Sequence, residues 1–252
     1  MDSGRRDVCG SGLRLLLGLG LLRQASGAHA LSGSLKWSAR PWLTRLDEAS
    51  GALSAGTATP RAWQSEVEAV LGRLELPDLL RSLDFEQLAA SAKFPSQGEG
   101  MERLYFPGED GRLQFLRFRP YLFTLRKDVA VVPHGHHNMA TLHMVLAGEA
   151  RVRHYDRLEG TDTHMLIRPV SDEVAKPGHV SSVSDEHHNI HWFQGLTERV
   201  FMFNIGVYEV RPGAPSGERD YVDAADGILA GGGALRVARL GRSAAYAKYG
   251  RL

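Results

Sequence analysis

The sequence predicts a mainly β protein, an all-β barrel preceded by a small helical segment. Two observations carry this. Up to about Pro95 the apolar residues recur at helical spacings; from Gly98-Glu99-Gly100 onward they gather in short runs rich in β-branched and aromatic residues, separated by turn signals. The 252 residues, 43% hydrophobic and 23% charged, hold enough apolar material for a sizeable core, which excludes wholesale disorder.

Residues 1–30 read as a removable export signal. Arg5-Arg6 and Arg14 give a basic start, Leu15 to Leu22 is apolar apart from two glycines, and Ala28-His29-Ala30 offers small residues to a signal peptidase. That apolar run is too short to cross a bilayer, so an integral membrane protein is not expected. Ser3-Gly4-Arg5-Arg6-Asp7-Val8 resembles a twin-arginine signal, which exports proteins already folded and loaded with cofactor. The expected location is periplasmic or otherwise exported.

Residues 31–97 form the helical segment. Trp37, Trp42, Leu43 and Leu46 mark a first helix, set apart from the next by the small-residue stretch Ser50 to Ala58. Thr59-Pro60 is a cap followed by a first-turn proline, and Trp63, Val67, Val70, Leu71 and Leu74 follow at spacings of three and four. Pro77 opens another short helix carrying Leu79, Leu80 and Leu83. These helices are expected to pack on one face of the barrel.

Residues 98–212 form the barrel. Candidate strands are Leu113 to Leu125, Val129 to Pro133, Ala140 to Leu146, Ala150 to Tyr155, Met165 to Pro169, Asn189 to Phe193 and Val200 to Tyr208, with turns at Gly108-Glu109-Asp110-Gly111, Ala147-Gly148-Glu149 and Lys176-Pro177-Gly178. Residues 213–252 are rich in Gly, Ala and Arg and include Gly231-Gly232-Gly233, so this tail is expected to be partly ordered at best.

The net charge is +1 and the basic residues form no stripe, which leaves no electrostatic footprint for nucleic acid or an anionic membrane. The single cysteine, Cys9, lies in the export signal; its removal excludes thiolate metal sites and cysteine nucleophiles. Ten of the eleven histidines lie between His134 and His191, and chemistry is sought there.

His134 and His136 follow the strand ending at Pro133, and in an extended chain residues two apart point to the same side. Such a pair either shares an ion or is merely solvated or hydrogen-bonded. A third nitrogen from a distant strand would complete a facial set with open positions opposite, the arrangement that suits ferrous non-haem oxygenases.

His134-x-His136, eleven residues and then Gly148 resemble the first motif of the cupin family, double-stranded β-helix barrels, and His191 stands where the second motif of that family supplies its histidine. Thr141 occupies the place where many cupins carry a metal-binding glutamate, so the resemblance implies three histidines without a carboxylate. His134-Gly-His136-His-Asn-Met139, Val145-Leu146-x-Gly148, and Asn189-Ile190-His191-Trp192-Phe193 with Phe203-Asn204-Ile205 are similar to stretches of the cysteamine dioxygenase and plant cysteine oxidase family. The likeness covers roughly residues 112–210. It implies a three-histidine Fe(II) cupin that adds both atoms of O2 to the sulfur of a small thiol, with His134, His136 and His191 as ligands, each with its other nitrogen fixed by a hydrogen-bond acceptor. A second reading keeps the ligands but takes Zn, Ni or Mn and a non-thiol substrate such as a diketone or sugar derivative. A third is a periplasmic cupin that binds ligand or metal without turnover. A homodimer along an edge strand is compatible with each.

Further candidates surround the ligands. His143 shares strand parity with Thr141, so it points inward to contact substrate or orient a ligand, or else is a core histidine. Asn189, Asp185 and Thr141 are candidates for holding the ligand imidazoles. Tyr155 and Tyr208 either donate to bound oxygen or pack. Arg117 and Arg119 alternate with Leu116 and Phe118, and Arg151 and Arg153 with Ala150 and Val152. Turned inward, Arg117, Arg119, Arg153 or Arg168 would bind a substrate carboxylate; turned outward, they keep a sheet solvated.

Overall fold

Two antiparallel sheets build the barrel. A computed structural model describes residues 40–216 and 219–251; the segment expected to be an export signal and Trp37 lie outside them. The strands are β1 (Gly100–Arg103), β2 (Arg119–Arg126), β3 (Ala130–His136), β4 (Met139–Ala147), β5 (Ala150–Gly160), β6 (His164–Ala175), β7 (Val180–Ser184), β8 (Ile190–Gly195), β9 (Arg199–Tyr208), β10 (Arg219–Val222), β11 (Ile228–Leu229) and β12 (Leu235–Leu240). One sheet runs β1-β2-β9-β4-β7 and the other β10-β3-β8-β5-β6-β12-β11. The quartets β2-β9-β4-β7 and β3-β8-β5-β6 are the two halves of a jelly roll, the double-stranded β-helix architecture the sequence predicts.

Four helices cover the outer face of the first sheet: α1 (Pro41–Ser54), α2 (Pro60–Gly72), α3 (Leu76–Ser82) and α4 (Phe85–Ser91). Thr59 caps α2 by accepting from the Ala62 N–H at 3.2 Å. Leu46, Leu53, Trp63, Val67 and Leu71 pack on Leu142, Met144, Phe203 and Ile205 in one buried cluster, with Trp42 edge-on to Phe203 at 6.0 Å. Strand β4 is therefore buried on both faces, which explains its nearly unbroken apolar sequence.

Three local expectations are corrected. Helix α1 continues through Ser50 to Ser54, because the Ser50 hydroxyl is buried and accepts from the Trp63 indole N–H at 3.2 Å; the chain turns only near Gly56, at φ +70°. Strand β2 begins at Arg119, since Leu113 and Phe115 lie exposed in the connection before it. The third concerns the tail, which is built into the second sheet. Strand β10 pairs with the edge strand β3, β12 pairs with β6, and β10 pairs with β12, closing a ring of six strands. Val222 and Val237 are fully buried with Ile167 and Ile190, while α5 (Arg242–Tyr249) packs Ala245 and Tyr249 on Ala130, Val132 and Trp192. Two unpaired edges and an apolar outer face order a segment whose Gly-rich composition reads as loose. No helix among the described residues is long and apolar enough to cross a membrane.

Candidate metal centre

His134 pairs directly with His191 across β3 and β8, and His191 pairs on its other side with His154 of β5. The three therefore form a row on one face. That face is inward because β3 carries a bulge: Val131 pairs with Phe193 and His134 with His191, so β3 advances three residues while β8 spans two. Pro133, which has no N–H for a ladder, sits in that interval. Without the extra residue His134 would share the outward face of Ala130 and Val132, which pack against α5.

Each of His134, His136 and His191 offers a nitrogen within 4.8 Å of the others, and ring centroids are 4.4 Å apart for His134 and His191, 4.6 Å for His134 and His136, and 5.1 Å for His136 and His191. All three are buried. Burial holds the His134 and His191 imidazoles well below their ordinary pKa, and burial with the nearby Arg219 guanidinium brings His136 down to about 3. The rings are thus neutral, the state that ligates metal. The Nδ1–H of His134 donates to the Val132 carbonyl at 2.8 Å, which leaves Nε2 as a lone pair, and that atom stands 3.2 Å from His136 Nε2. The Nδ1 atoms of His136 and His191 are buried without a partner. Converging neutral nitrogens with unused capacity fit a divalent cation. Only His134 shows the acceptor expected for every ligand's second nitrogen.

Asn189 acts on the backbone instead. Its Nδ2 donates to the His136 carbonyl at 2.9 Å and to the Ser184 carbonyl at 3.2 Å. Asp185 does not touch a ligand imidazole: it accepts from the Asn138 N–H at 2.7 Å and from Arg211, pinning a loop. Thr141 is inward and buried, but its hydroxyl donates to the Ile205 carbonyl at 2.8 Å and accepts from Asn204 Nδ2 at 2.7 Å. His143 faces the centre from the opposite sheet, its ring 5.7 Å from that of His191 and 4.7 Å from Phe193, with Nδ1 buried and unpartnered. Burial, with His154, His136 and Arg219 nearby, lowers its pKa to about 3.

Other expected site residues lie elsewhere. Tyr155 points to the outward cluster of Met165, Ile167 and Ile190, because the inward positions of β5 are taken by Val152 and His154. For the same reason Arg153 is outward, its guanidinium 3.9 Å from the Trp192 ring centre. Arg117 is held by Asp47 of α1, its N–H donating at 2.6 Å, and the exposed Arg168 reaches Asp156 at 3.5 Å. Arg119 does share a row with Gly206 and Thr141, but at its exposed end, where it lies 4.6 Å over Tyr208. Burial raises the Tyr208 pKa.

Sequence reasoning missed Arg219, which β10 places beside His136 in the ladder and which pairs at 2.7 Å with Glu99, whose side chain is little exposed. Arg219, Glu99, Tyr221, Arg242 and Tyr246 line a cleft of about 740 Å³. The Tyr221 ring stands 6.0 Å from that of His134, so the cleft adjoins the centre. Nothing in the sequence signals this, since Arg219 meets His136 only through tertiary pairing.

No protein-family model and no curated protein matches the sequence. Among solved structures, procruciferin, an 11S globulin from Brassica napus, is 17% identical over 52% of this chain and 30% of its own, with a TM-score of 0.36. An oxalate oxidase is 14% identical over 48% of this chain and 57% of its own, at a TM-score of 0.35. A cupin superfamily protein from Desulfitobacterium hafniense is 20% identical over 43% of this chain and 77% of its own, at 0.28. The matched region is thus less than a third of the globulin and somewhat over half of the oxidase.

Proposed function

We propose that the chain is a mononuclear non-haem Fe(II) oxygenase that adds O2 to the sulfur of a small thiol, working outside the cytoplasm after twin-arginine export. The observation that carries this reading is the set of three buried, neutral imidazoles with no carboxylate among them. Three neutral ligands leave a bound ferrous ion its full double charge, which favours a thiolate partner and supplies the redox chemistry for O2.

The chain's own residues prepare the reaction. His134, His136 and His191 would hold the metal, with the Val132 carbonyl setting the His134 tautomer and Asn189 fixing the backbone of His136. Phe123 and Phe193, both buried and packed against His143, make the surroundings of that ring apolar. His143, its ring 5.7 Å from that of His191, stands where it would contact the substrate, and a bound divalent metal would itself acidify the thiol, so no protein base is required. The reaction R–SH + O2 → R–SO2H balances without an external reductant, since sulfur supplies all four electrons.

The test is oxygen uptake by the iron-loaded protein with cysteamine, cysteine, 3-mercaptopropionate and a peptide with N-terminal cysteine. One of them is expected to consume O2 and gain two oxygen atoms by mass, and His191→Ala to abolish this. No uptake with any thiol by fully iron-loaded protein removes thiol oxidation.

A further inference from the structure

We propose that Asp156 of β5 with His187 and His188, in the turn between β7 and β8, forms a second site, which takes a divalent transition-metal ion such as zinc. One ligand atom from each of the three lies within 4.8 Å of the others, and none of the three belongs to the central triad. His187 Nδ1 is 3.7 Å from Asp156 Oδ1, and the rings of His187 and His188 are stacked 3.7 Å apart. Ligand atoms on one tetrahedral zinc ion are about 3.3 Å apart, so closure needs only small side-chain rotations. Two imidazoles and a carboxylate, partly exposed, form a donor set that zinc accepts with one position left for water or another nitrogen.

Two features show a cluster held in place. His188 has φ +53°, a left-handed backbone that a histidine adopts at a cost, and its N–H donates to Asp156 Oδ1 at 3.0 Å. The backbone is thus bent so that the carboxylate and both imidazoles meet. The second feature is independent: His154, two residues before Asp156 on the same strand, is only 3% exposed, and its Nε2 has no partner. Its Nδ1 is engaged with the Ser171 hydroxyl at 3.0 Å, and its ring lies 5.5 Å from that of His188. His154 is not one of the three grouped donors; it stands next to them as a buried imidazole whose Nε2 no other residue engages. Arg168 reaches Asp156 at 3.5 Å from an exposed position, and an exposed ion pair of that kind competes weakly with a metal.

Equilibrium dialysis of the metal-free, full-length protein against zinc chloride, followed by elemental analysis, tests the site. Two zinc ions per chain are expected. The double variant His187→Gln/His188→Asn is expected to bind one, asparagine being chosen because it tolerates the left-handed backbone. Asp156→Asn, a gentler change, is expected to weaken one of the two affinities at least tenfold and leave the other. In His136→Ala the site at His187 and His188 should still fill. Wild-type protein that binds a single zinc ion, retained in the double variant, overturns the second site and leaves the central triad standing. A single ion that the double variant loses instead overturns the triad as a metal centre. Two ions in both proteins, or two in the wild type and none in a double variant with unchanged circular dichroism, also overturns the proposal.

Discussion

The side-chain oxygen of Asn189 lies against the spot where a Cβ on Gly135 would sit, too close for any Cβ to fit. Glycine between His134 and His136 is therefore required by the neighbour that also holds the His136 carbonyl. Gly135→Ala is expected to cost about 1–3 kcal/mol of stability, the usual range for overpacking a tight site, and to weaken metal binding. Urea denaturation with metal analysis checks both. In Gly135→Ala/Asn189→Ala the combined cost should be less than the sum of the two single costs, since removing the amide frees the space.

The histidines predict the acid sensitivity of the metal-free protein. His136, His143 and His154 titrate near 3 when folded, chiefly through burial, against about 6.5 when unfolded. Between those values the unfolded chain binds more protons. Stability is then fully present above about pH 6.5 and falls as pH drops below it, by up to about 1.4 kcal/mol per pH unit for each such group. Urea midpoints from pH 8 to 5 read this. A flat profile contradicts neutral buried imidazoles.

Arg219 and Glu99 make a partner-dependent pair. The Glu99 side chain is 6% exposed, so Arg219→Ala leaves a little-exposed carboxylate without its cation and is expected to cost about 2–4 kcal/mol. Glu99→Gln/Arg219→Ala should recover part of that loss. A double-variant cycle in urea showing no coupling would mean the ion pair is unimportant.

The helical layer and the centre should separate energetically. Leu46 is fully buried between α1 and the first sheet, and Leu46→Ala is expected to cost about 2–5 kcal/mol. Metal stoichiometry below the unfolding transition should not change, because Leu46 packs on the face of β4 and β9 opposite the histidines. Calorimetry with metal analysis checks the pair of outcomes.

Some of this was fixed by residue order alone. Short β-branched runs with turns between them specify strands, the Thr59-Pro60 start specifies α2, and the spacing of His134 and His136 puts two imidazoles on one side of a strand. These are local properties of 3.6- and 2-residue periods, which need no partner to be read. Tertiary structure decided the rest. Which side His134 faces depends on a bulge defined only by the β8 partner, and which arginines reach the interior depends on the register of β5 and β2. Arg219 arrives beside His136, and Asp156 beside His187 and His188, only because strands distant in sequence pair. Pairing satisfies backbone hydrogen bonds wherever an edge lies open, and that condition belongs to the assembled sheet rather than to any stretch of sequence.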